Sequence, residues 1–117
     1  MEFNLIEVVD SITMLKQLSI GGIFSGAQPH FHGPAFNALI YGSKEWILFP
    51  PNKAFQMKQT AIEFFCYHES LSNEKKQNLT YYTFTQNPGD IIFIPHEWSH
   101  AVLNKQPSIG VAAELFI

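Results

Sequence analysis

Two histidines lie one residue apart in the stretch Gln28-Pro29-His30-Phe31-His32-Gly33-Pro34. On an extended strand, residues i and i+2 point to the same face, about 7 Å apart at Cα. Two flat imidazoles at that spacing can chelate one metal ion, although a satisfied core position is the commoner fate of any single histidine. A third histidine, His100, closes the run GDIIFIPHEWSHAVLN, in which a glycine turn and an apolar strand lead to Pro95, Trp98, His100 and Asn104. The remaining two sit beside acids: His96 precedes Glu97 at a strand end and reads as a rim residue. His68, beside Cys66 and Glu69, reads as a surface residue. Cys66 has no acid–base partner nearby in sequence, so it does not read as a nucleophile.

Strands must hold these groups in place. Eleven Phe, four Tyr and two Trp favour them over helices. The run FNALIYGSKEWILFPP carries Gly42-Ser43 between two apolar segments, the form of a two-residue type II′ hairpin. That hairpin sets Tyr41 opposite Lys44 and Leu39 opposite Trp46. Asn37, Leu39, Tyr41, Lys44, Trp46 and Leu48 then share one face, with Glu45 on the other. A lysine among Trp46 and Leu48 is costly to bury without an anion. The alternative is a side chain that snorkels out at the end of the sheet.

Further along, LTYYTFTQNPGDIIFIP reads as strand, type II turn over 87–90, strand. Two more strands flank a turn at Lys105 to Pro107. Residues 1–18 suggest a strand and then a short helix. KAFQMKQTAIEFF suggests a helical turn or two, and HESLSNEKKQN a surface loop. Short strands with regular turns predict an antiparallel sandwich or barrel.

A chain of 117 residues suits one domain. With 46% hydrophobic and 15% charged residues it is globular. The net charge of −3 and the absence of a basic stripe argue against nucleic-acid binding through phosphate neutralisation. No apolar run approaches the roughly 20 residues of a membrane span. The first residues lack the basic region of a signal peptide. Cys66, the one cysteine, excludes an internal disulfide. The chain has one N-glycosylation tripeptide, Asn78-Leu79-Thr80.

The pattern G-x5-P-x4-H-x3-N over Gly89 to Asn104 resembles the second cupin motif, with Glu97 where that motif usually has glycine. The histidine pair resembles the first cupin motif, without its glutamate and with Asn37 near that place. Taken with the G-x-K-x-W-x-L-F-P-P run, residues 20–116 resemble the Jumonji-C domain, a cupin-type family of Fe(II)- and 2-oxoglutarate-dependent oxygenases. The resemblance implies an all-β fold, a double-stranded β-helix, for a single domain over 1–117, with a short N-terminal segment and a partly helical insert. It implies Fe(II) held by His30, His32 and His100, with no catalytic residue beyond the metal ligands. Lys44 is expected to grip the distal carboxylate of 2-oxoglutarate, in a pocket with Asn37, Tyr41 and Asn104. The implied reaction is hydroxylation of a protein or peptide side chain.

Two departures from the family pattern stand out. The family usually shows HxD or HxE, and here His32 takes the acid's place. An endoplasmic-reticulum-associated subset carries the same H-x-H-G-P; that resemblance makes the lumen of that organelle one candidate compartment, and the sequence leaves the compartment open. The second departure is Glu114, which alternates with Ala112 on the last strand. It either pairs with Lys44 or substitutes for the missing carboxylate at the metal. Two other readings stay open: a non-catalytic binding or scaffold module that keeps a metal, and a three-histidine cupin dioxygenase acting on a small anion.

Overall fold

The apolar runs form eight strands in a computed structural model that describes residues 13–116. These are β1 (Thr13–Gly21), β2 (Gly26–His30), β3 (Ala35–Tyr41), β4 (Lys44–Phe49), β5 (Tyr82–Gln86), β6 (Ile91–Ile94), β7 (Ser99–Asn104) and β8 (Ser108–Phe116). They make two four-stranded antiparallel sheets, ordered β1-β8-β3-β6 and β2-β7-β4-β5. Apart from β4 and β5, which pair with each other, consecutive strands lie in opposite sheets. The chain therefore winds between layers, as a double-stranded β-helix requires.

This winding corrects the hairpin expected at Gly42-Ser43. β3 and β4 do not pair; the turn is a corner between sheets. Lys44 lies opposite Gln86 and Asn104, and Trp46 opposite Phe84 and Val102. Gly42 has φ +98°, and a Cβ there would collide with Ser108 and the Pro107 carbonyl. Only glycine adopts that conformation at no steric cost, in a hairpin or in a corner alike. The turn residue alone cannot tell the two apart.

The turn over 87–90 is of the expected type. Asp90 N–H donates to Asn87 O at 3.0 Å, and Gly89 supplies the positive φ of +92° that a type II turn needs. It too is a corner, from β5 to β6. The helix expected before residue 18 is not found from Thr13 on, where β1 pairs with β8 along its whole length. Residues 1–12, on which the rest of that expectation falls, lie outside the described residues.

The insert after β4 is more helical than expected. Helix α1 (Ala61–Ser70) starts at Thr60, whose hydroxyl accepts from Glu63 N–H at 3.3 Å. Helix α2 (Asn73–Gln77) starts at Ser72, which accepts from Lys75 N–H at 3.2 Å. These caps satisfy donors that a helix start leaves open, so most of the expected surface loop is helix. Ala61 and Phe64 are buried on α1, and Phe64 packs with Ile47, Phe49 and Ala101 on the outer face of the second sheet. On its inner face Trp46, Leu48 and Val102 pack with Ile94 of the first sheet. β4 and β7 are thus covered on both sides, which makes them the rigid support of the interior.

One corner is strained. Glu97, between β6 and β7, has φ +64°, and its N–H donates to His32 O at 3.0 Å. A side chain in the left-handed region costs about 1–2 kcal/mol, which glycine avoids while losing more chain entropy. Glu97→Gly is therefore expected to raise stability by about 0.5–1 kcal/mol, read as a higher denaturant midpoint. An unchanged or lower midpoint contradicts it.

Candidate functional site

His30 ends β2 and lies directly opposite His100 of β7. β2 is irregular between Ala27 and His30. His32 follows in the loop after the strand, so the three rings meet through strand pairing plus a bend rather than through strand alternation alone. Ring centroids stand 4.2–5.3 Å apart. One nitrogen from each ring lies within 4.8 Å of the others.

The tautomers follow from the hydrogen bonds. His30 Nδ1 is 2.7 Å from Gln28 O, His32 Nδ1 is 2.7 Å from Gly33 O, and His100 Nδ1 is 3.0 Å from Trp98 O. A carbonyl oxygen only accepts, so each Nδ1 carries the proton and each neutral ring keeps its lone pair on Nε2. This is the outer arrangement typical of metal-binding histidines. Three bonds near 2.1 Å at 90–120° would place the nitrogens about 3.0–3.6 Å apart. The rings fit such an ion after closing in by roughly 1 Å.

Burial pulls the His100 pKa down to about 4, helped by repulsion from His30 and opposed by the Trp98 bond. Burial also lowers His30. Both rings are thus held neutral near pH 7, the form that binds metal. Because the folded pKa lies below 6.5, the unfolded chain takes up protons first as pH falls. Stability present above pH 6.5 is therefore lost on the way down to about 4. For His100 this amounts to about 3 kcal/mol. Metal-free protein should unfold at a clearly lower urea concentration at pH 4.5 than at pH 7.5, and His100→Asn should flatten that difference. Equal slopes for the two proteins would contradict this.

A cavity of about 620 Å³ opens beside the histidines, between the two sheets, and Asn37, Lys44, Trp46, Asn104 and Glu114 line it. Lys44 is 5% exposed and has no ion-pair partner among the described residues. Burial lowers its pKa. Its neighbour Asn104 is also buried; the amide donates to Ser25 Oγ at 3.0 Å while Oδ1 has no partner among the described residues. The cavity wall therefore carries three imidazoles together with a buried lysine that has no ion-pair partner among the described residues.

The other sequence-derived candidates are placed as follows. Tyr41 lies outside the cavity: a register shift in β3 between Leu39 and Tyr41 precedes it, and it is 61% exposed. Glu114 Oε1 stands 3.9 Å from His32 Nδ1, the nitrogen turned away from the shared ligand position. It is not in the cluster of converging ligand atoms, and it forms no ion pair with Lys44. His96 is exposed and pairs with Glu97 at 3.2 Å. His68 is not a surface residue; it is buried on the inner side of α1, edge-on to Tyr81 at 4.7 Å. Its spacing from Ala61 and Phe64 follows the helical repeat, which a loop assignment hides. Gln86 escaped the sequence reading altogether. It is wholly buried and accepts from the Trp46 indole N–H at 2.9 Å.

Comparison with known proteins bears on this arrangement. The family described as "JmjC domain, hydroxylase" matches residues 17–115. The mouse protein named JmjC domain-containing protein 8 is 32% identical over 106 residues, covering 88% of this chain and 38% of the relative. A fruit-fly protein named 2-oxoglutarate and iron-dependent oxygenase JMJD4 homolog is 28% identical over 87 residues, 69% of this chain and 20% of that protein. The Arabidopsis thaliana protein named arginine-specific demethylase JMJ22 is 30% identical over 113 residues, 82% of this chain and 22% of that one. The chain thus spans less than two-fifths of the length of each. Among solved structures, KdgF from Halomonas sp. superposes with a TM-score of 0.54 at 13% identity, covering 87% of this chain and 68% of that one. At that identity the likeness concerns the fold alone.

Proposed function

Because the chain belongs to the Jumonji-C family, we propose that it forms the Fe(II)- and 2-oxoglutarate-binding core of an oxygenase that hydroxylates protein or peptide side chains. The observation that carries this reading is the buried Lys44, without an ion-pair partner among the described residues, in the same cavity as the three converging histidines. Lys44 and Leu48 share the inner face of β4, and Leu48 lies opposite His100. Four residues of strand span about 13 Å. A lysine reaching in from one end and an imidazole from the other leave room for a short dicarboxylate between them. The names of two relatives point the same way, one an iron- and 2-oxoglutarate-dependent oxygenase and the other a demethylase.

In this reading His30, His32 and His100 hold the ion from one side, with Nδ1 protons fixed on backbone carbonyls so that the rings cannot turn. Bound Fe(II) supplies the site for dioxygen, and the overall reaction turns 2-oxoglutarate, dioxygen and a C–H bond into succinate, carbon dioxide and a C–OH bond. Lys44 orients the cosubstrate by its far carboxylate. Trp46 and Val102 form part of the apolar wall beside it, where low polarity strengthens the ammonium–carboxylate attraction.

One observation favours the non-catalytic reading. Among the described residues the converging cluster holds three histidines and no carboxylate. Three neutral ligands leave the ferrous site at +2, whereas two histidines and an acid leave it at +1. Succinate release under air, with saturating iron and 2-oxoglutarate and a peptide pool, decides between them. Release dependent on both additions supports the oxygenase, and His32→Asp is expected to speed it. Tight binding of metal and 2-oxoglutarate with no succinate from either protein would leave a binding module instead.

A further inference from the structure

A buried hydrogen-bond chain runs from the core to the cavity wall. Trp46 Nε1–H can only donate, and it donates to Gln86 Oε1 at 2.9 Å. That contact fixes the Gln86 amide, so its Nε2 faces Asn37. Nε2 donates to Asn37 O at 3.1 Å, to Asp90 O at 3.2 Å and to Asn37 Oδ1 at 3.3 Å. All three are acceptors, shared by two protons. A reversed Asn37 amide would set two NH2 groups against each other and lose that contact. Asn37 therefore keeps Oδ1 towards Gln86, and its Nδ2 has no partner among the described residues. Asn37 lines the cavity, and Gln86 itself lies opposite Lys44 on the neighbouring strand.

We propose that Gln86 is a positioning residue: it fixes the Asn37 amide so that the NH2 end, a donor, is offered to the ligand beside Lys44. The site is thereby set to accept an anionic or carbonyl oxygen and to reject a ligand that presents a donor there. This deepens the proposed 2-oxoglutarate site and rests on it for the ligand's identity. The polarity of the amide stands on the ligand-free protein alone. Burying a polar side chain completely is costly unless every group is paired. Gln86 meets that condition only in the orientation described.

Side-chain amide exchange by NMR on the ligand-free protein tests the chain directly. The Trp46 indole and Gln86 amide protons are expected to exchange slowly and the Asn37 NH2 rapidly. In Gln86→Glu the new carboxylate cannot donate, so the Asn37 amide turns round and its NH2 becomes protected. Gln86→Met, which removes the bonds without adding charge, should free the Trp46 indole proton and guards against a Gln86→Glu that fails to fold. For 2-oxoglutarate, each Gln86 variant should bind about tenfold more weakly. In an Asn37→Ala background the uncharged Gln86→Met should not weaken binding further, because its effect passes through Asn37; Gln86→Glu, which sets a carboxylate opposite Lys44, is left out of this comparison. Rapid exchange at Gln86 in the wild type, or losses that simply add to that of Asn37→Ala, would overturn the proposal. If wild type binds no 2-oxoglutarate, the functional reading fails while the exchange pattern still decides the role of Gln86.

Discussion

His100→Ala is expected to abolish stoichiometric metal binding, weakening it by roughly a hundredfold or more, since disturbing the partners of ligands alone costs about 10–100-fold. The loss is large because His100 sits at the centre of the cluster. It lies opposite His30 in the sheet, and its ring is 4.2 Å from that of His30 and 4.9 Å from that of His32. It also sits on β7, the strand whose residues are all buried. His96→Ala is the control. His96 is four residues away in sequence but exposed, and it pairs with Glu97; its loss should leave metal affinity unchanged. Equilibrium dialysis against Fe(II) or Zn(II) reads both variants. Equal affinities in the two would remove His100 from the site.

Lys44→Met should have opposite effects on ligand binding and stability. The ammonium of Lys44 is buried with no ion-pair partner among the described residues. Folding must dehydrate it without gaining an ion pair. Methionine keeps most of the side-chain volume and carries no charge, so the ligand-free protein should become more stable. The same change removes the charge-assisted hydrogen bond proposed between Lys44 and 2-oxoglutarate, a type of bond worth about 1.5–3 kcal/mol. That corresponds to 2-oxoglutarate binding about tenfold to a hundredfold more weakly. A site that gives up stability for binding behaves this way; a lysine buried only for packing does not. Calorimetric titration and urea unfolding together separate the two. Unchanged 2-oxoglutarate affinity, or a loss of ligand-free stability, contradicts the role assigned to Lys44.

What the sequence could show follows from the range of each signal. The side-chain direction of Lys44 was readable because Lys44, Trp46 and Leu48 alternate with Glu45 and Ile47 on one strand, and alternation is local. Its partner strands were not readable. Gly42 serves a hairpin and a sheet-to-sheet corner equally well, and only long-range pairing with Gln86 and Asn104 distinguishes them. Tyr41 was misplaced for a related reason: the register shift after Leu39 breaks the alternation that had carried it inward. The convergence of His30, His32 and His100 was legible through the resemblance of two segments far apart in the chain. Spacing alone explains it less well, since His32 lies beyond the end of β2.

The insert was underestimated although its start signals were present. Thr60 with Glu63 three residues on, and Ser72 ahead of a charged run, are cap patterns. Both helices are short, and the apolar spacing of Ala61, Phe64 and His68 includes a histidine that reads as polar. Gln86 carried no signal at all. One glutamine at the end of YTFTQ, just before a turn, looks like turn chemistry until Trp46 and Asn37 are placed on either side of it.

X-ray absorption spectroscopy of the Fe(II)-loaded protein, prepared without oxygen and measured before and after adding 2-oxoglutarate, tests the central claim most directly. The structure predicts imidazole scattering from three histidines in both states, with added oxygen ligation once 2-oxoglutarate binds. A spectrum with fewer than three imidazoles, or one that 2-oxoglutarate leaves unchanged, would contradict it.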